Sequence, residues 1–161
     1  MELQDMFIEE LEHEVALTEK FLKRIPKDKL EWRPHPKSMS LKQLGSHLAE
    51  IPGWVIGTMA QDEMSMDDYK PPVNESVDDM IKVLKSTAEE AKKTLKVSNS
   101  EFDKHWKMIQ GGKMVMEMPK YKVLRTMVLN QLPHHRAQLG VFLRLLDQSV
   151  PATYGPSADE Q

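Results

Sequence analysis

The chain has 161 residues, 40% of them hydrophobic, which supplies the core of one domain spanning residues 1–161 and excludes a globally disordered polymer. Its 22 basic side chains are outnumbered by 25 acidic ones, a net charge of −3 with both signs interspersed, so the cationic field on which nucleic-acid binding depends is missing. With no cysteine there is no disulfide, no thiolate metal cluster and no thiol nucleophile of the protein's own.

The N-terminal run MELQDMFIEELEHE is too acidic for a signal peptide, and no apolar run reaches the roughly 18 residues of a membrane span, so a soluble cytoplasmic protein is expected. The first segment, about Leu3 to Arg24, repeats apolar residues every three or four positions and ends before Pro26. Residues 27–39 form a proline-bearing loop carrying Trp32 and His35. Ser40, with Gln43 three residues on, reads as a capping box that opens a second helix running to about Gln61. A polar, methionine-dotted link then leads to Ser76, the N-cap of a third helix from about Val77 to Lys96. Between Asn99 and Met118, KMIQ and KMVMEM flank Gly111-Gly112, a hairpin signal. Pro119 suits the first turn of a last helix, about Lys120 to Gln148, which Pro133 should bend without ending. The sum is an all-α antiparallel four-helix bundle with a short hairpin between the third and last helices.

At about 100° per residue, His135 shares the direction of Val128, Leu132, Leu139 and Phe142, and so points into the apolar stripe of the last helix. Gln131 lies about 40° from it, while His134 falls at the stripe's edge or outside. On the second helix His47 faces inward with Leu44, Ile51 and Trp54. Two inward imidazoles on different helices need hydrogen bonds or a metal, and neutral imidazole suits zinc, nickel or iron. Arg136 and Gln138 read as a solvated and a stripe-edge residue, Glu50 as a surface residue with the alternative of orienting His47, Trp32, Trp54 and Tyr154 as packing anchors with the alternative of lining a pocket mouth, and His13, His35 and His105 as surface or loop positions.

The stretches LEWRPHPKSMSL, LGSHLAEIPGW, HHRAQLGVFLRLLD and VPATYGPSADE resemble the DinB/YfiT-like superfamily over almost the whole chain. That resemblance implies an up-down-down-up four-helix bundle, often dimeric, with a metal held by one His of the second helix and an H-x-x-x-H pair on the last. Carried onto this chain, the ligands are His47, Gln131 and His135. Gln131 is a departure, because relatives commonly carry Asn-His where this chain has Asn130-Gln131, and an amide oxygen binds zinc or nickel more weakly than imidazole. The resemblance implies a metal-dependent enzyme acting on a small molecule, a thiol S-transferase or a hydrolase, with no catalytic residue assigned. The alternative is a metal-free or weakly metal-binding stress-response module in which Gln131 has replaced a ligand. A cytoplasmic homodimer with a divalent cofactor, and without nucleic-acid or membrane partners, completes the expectation.

Overall fold

A computed structural model describes residues 2–161. Leu3–Leu22 forms α1, which buries Phe7, Leu11, Leu17 and Phe21 along one stripe. Ser40 closes the expected capping box with Gln43 and starts α2, Leu41–Glu50. Pro52 has no N–H to continue the ladder, so the chain tightens into a 3-10 turn over Ile51–Gly53 before resuming as α3, Trp54–Ala60. The expected second helix is therefore two helices with a proline joint. Ser76 caps α4, Val77–Thr94, by accepting from the Asp79 N–H. A short α5, Asn99–Asp103, precedes the hairpin, and α6, Lys120–Val123, follows it.

The last expected helix is not one bent rod. Residues Leu124–Leu129 are wound as a π-helix, in which the Asn130 N–H reaches back five residues to the Arg125 carbonyl at 2.9 Å, and α7 then runs from Gln131 to Leu145. Pro133 gives the reason. An α-helix through it would leave the Leu129 carbonyl without its donor and press the ring against it, and a wider turn just upstream relieves both.

The core lies between four rods. α1 packs on α4 and α7, and α2 packs on the same two, so α1 and α2 sit across the core from each other. Gly45 permits the α2–α4 approach: a Cβ there would stand 2.6 Å from the Met80 sulfur. The C-terminal tail is pinned back on the bundle by Arg144 to Asp159 and Arg24 to Glu160, and folded on itself by the Ser157 hydroxyl on the Val150 carbonyl.

The all-α expectation is overturned by a three-stranded sheet in the order β1-β2-β3. The hairpin forms where expected, from β2, His105–Gln110, and β3, Lys113–Pro119, with Gly111 and Gly112 at φ 58° and 68° in the left-handed region that primed turns require. The unexpected strand is β1, Glu63–Ser65, which lies parallel to β2 with Met64 opposite Met108. Its residues come from the link read as polar and irregular. Three residues are too few to show a period, and the pairing that makes them a strand is more than forty positions away.

Candidate functional site

His47 sits near the end of α2 and His135 in the second turn of α7, and the contact between those helices brings the rings together. Their Nε2 atoms are 3.1 Å apart, with the ring planes at 83°. His135 is 8% exposed. Burial, assisted by the neighbouring His47 and His134, pushes its pKa below the ordinary value, against the opposing hydrogen bond to Gln138.

The far side of each ring is held by an acceptor. The Glu50 carboxylate can only accept, so His47 Nδ1 donates to its Oε1 at 2.7 Å. Gln138 presents its amide oxygen to His135 Nδ1 at 2.9 Å, while its nitrogen donates to His134 Nε2 at 3.2 Å. With both protons on Nδ1, two Nε2 lone pairs face each other across 3.1 Å. Two lone pairs at that distance repel unless a cation lies between them, either a shared proton or a metal ion. Nitrogens bound to one divalent ion at about 2.0 to 2.1 Å span a similar distance, so the donor set fits a metal.

Glu50 and Gln138 were the residues that sequence reasoning undervalued. Glu50 lies three positions after His47, only about 60° round the helix, and an i,i+3 pair is within reach. The same spacing joins His135 to Gln138. Tyr69, not singled out from sequence, donates to Glu50 Oε1 at 2.6 Å; burial, with that carboxylate beside it, raises its pKa and keeps the phenol protonated. Gln131 is turned elsewhere: its amide nitrogen donates to the Thr126 carbonyl of the π-segment at 3.4 Å. Among the described residues no three His, Asp or Glu side chains converge as a metal site. His13, His35 and His105 are exposed, as expected.

Arg136 corrects the sequence reading more strongly. It is not solvated but 2% exposed, donating to the Glu14 carboxylate at 2.6 Å and to Tyr154 Oη at 2.7 Å. Tyr154 in turn donates to the other Glu14 oxygen, which ties α1, α7 and the tail behind the imidazole pair. Trp32 is the packing anchor expected, set edge-on to Phe142.

Next to the pair lies a pocket of about 310 Å³. Glu50, Trp54 and Thr58 form its helical wall, Met64, Met66, Trp106 and Met108 its sheet wall, and Met127 of the π-segment and Tyr69 also line it. Trp54 packs edge-on to both His47 and Tyr69. The inward side chains of the unexpected sheet thus enclose space beside the histidines. Alternation along β2, with Trp106 and Met108 inward, was the signal available for half of that wall.

A family model described as the DinB family matches residues 2–161. Two solved structures share the fold. A DinB-like protein from Bacillus cereus ATCC 10987 is 22% identical, with 92% of this chain and 95% of that chain covered at a TM-score of 0.70. A DinB-like protein, YjoA, from Bacillus subtilis is 15% identical, with 97% and 99% covered at a TM-score of 0.69. No curated protein matches the sequence.

Proposed function

The chain belongs to the DinB family, and from that premise we propose that it is a metal-dependent enzyme acting on a small molecule, with His47 and His135 as the metal ligands. The observation that carries this reading is the facing pair of Nε2 atoms, each ring held from behind by an acceptor. Glu50 fixes the His47 tautomer, Tyr69 restrains Glu50, and Gln138 does for His135 what Glu50 does for His47. When bound, zinc, nickel or iron would lower the pKa of a coordinated thiol or water, giving a thiol S-transferase or a hydrolase the nucleophile that a cysteine-free chain lacks. A metal held by these two imidazoles would leave coordination positions for substrate and water, as catalytic sites require.

The second reading is a metal-free or weakly metal-binding stress-response module, in which the two imidazoles share a proton. Gln131 favours it, since its amide is engaged by Thr126. Elemental analysis of protein purified without chelator and supplemented with zinc, nickel or iron separates the two: about one ion per chain, lost in His47→Ala and in His135→Ala, is expected. Absence of metal after supplementation overturns the enzyme reading in favour of the module. Gln131→His is expected to tighten metal binding if the site tolerates a third imidazole. The same reading takes the protein as a cytoplasmic homodimer, and sedimentation showing only the 18.6 kDa species at micromolar concentration would contradict the dimer.

A further inference from the structure

The pocket beside the imidazole pair has an unusual balance of walls and charge. Three aromatic and four methionine side chains make up most of its lining, and its single charged group is Glu50. Two donors bond that carboxylate, the His47 ring and the Tyr69 hydroxyl, and both act on the same oxygen, Oε1. Oε2 takes neither bond. No lysine or arginine lines the cavity, so the carboxylate meets no full positive charge there. Burying an anion among hydrocarbon is costly unless a cation offsets it. Around it stand Trp54, Tyr69 and Trp106, with the rings of Trp54 and Tyr69 at 84° to each other and 6.4 Å between centroids. Aromatic side chains lining the same cavity as a carboxylate suit an ammonium group, which is drawn to ring faces and to the anion together.

We propose that this pocket binds an apolar organic amine, with its ammonium against Glu50 Oε2 inside the three aromatic side chains and its hydrocarbon on the four methionines. This deepens the enzyme reading by naming its substrate class, and it rests on that reading for the reaction though not for the binding. Methionine's flexible, polarizable chain adapts to ligands of varied outline, so the apolar end of the amine is loosely specified. A cavity of about 310 Å³ is at the small end of ligand sites and fits an amine with one aromatic ring. Because Glu50 also holds His47, an amine placed here lies one residue away from the imidazole pair.

The test is calorimetry on the full chain, both chelator-treated and zinc-supplemented, with three probes of one shape: 2-phenylethylammonium, the neutral 2-phenylethanol and the anionic phenylacetate. The ammonium is expected to bind at least tenfold more tightly than the alcohol, and the anion weakest. Glu50→Gln should abolish the preference for the cation. Met66→Lys, which places a tethered ammonium at the pocket wall without touching the His47–Glu50 bond, should abolish ammonium binding while circular dichroism stays unchanged. Equal binding of amine and alcohol, or no binding of any probe, overturns the proposal. Preference for the ammonium in a chain that takes up no zinc would refute the metal site alone and leave the amine pocket standing.

Discussion

Single side chains decide whether the site is preorganised. Removing Glu50 leaves His47 Nδ1 without its acceptor, so the ring can rotate or change tautomer and Nε2 loses its fixed aim. Glu50→Ala is therefore expected to weaken zinc binding by about 10- to 100-fold in a calorimetric titration, and an unchanged affinity would show the carboxylate to be irrelevant to the imidazole. Arg136 and Glu14 pose the opposite case, a buried ion pair at 2% and 5% exposure. Breaking it by Arg136→Met alone strands the Glu14 charge and should cost about 3 to 5 kcal/mol in urea unfolding, whereas Glu14→Leu with Arg136→Met should recover much of that loss. A single-variant cost below 1 kcal/mol would contradict the picture of a dry pair. The inward direction of His47 and His135 was legible from helical spacing, because each interrupts an apolar stripe. Arg136 was not, since periodicity reports which face a residue shares but not whether Glu14, more than a hundred positions away, waits there to neutralise it.

Elements that local rules specify were legible, and those that distant partners specify were not. Pro26 placed the end of α1, the Ser40 capping box the start of α2, the Ser76 N-cap the start of α4, and Gly111-Gly112 the hairpin. Strand β1 escaped because only β2 makes it a strand, and the π-segment escaped because Pro133 acts upstream of itself. Gly111→Val should lower thermal stability, since a branched residue at φ 58° costs about 1 to 2 kcal/mol, and should loosen the sheet wall of the pocket. An unchanged melting temperature would mean the turn carries no stability. The tail offers a pH-dependent prediction. Asp159 has its carboxyl held below the ordinary 3.8 by the Arg144 guanidinium and then by the Val150 N–H. A depressed acid stabilises above its unfolded pKa and loses that contribution as pH falls through the folded value. The tail should thus stay docked at neutral pH and begin to release only below pH 3.8, read by hydrogen exchange at residues 150–160. Arg144→Ala should move that release upward; release at the same pH in both proteins would exclude the ion pair as the latch.

At the scale of the whole molecule, four helical rods carry the imidazole pair and a small sheet closes a cavity beside it. The amphipathic helical segments were legible from their spacing and the family from four stretches of sequence, while the expected all-α bundle gave way to a mixed helix-and-sheet fold. No helix among the described residues is long and apolar enough to cross a membrane. The contact between α2 and α7 connects shape to chemistry, because it carries the His47 and His135 Nε2 atoms to 3.1 Å. Anomalous diffraction at the metal edge from crystals grown with zinc tests that connection most directly. One strong peak within bonding distance of both Nε2 atoms is expected; an ordered His47–His135 pair with no peak between them would contradict the metal site.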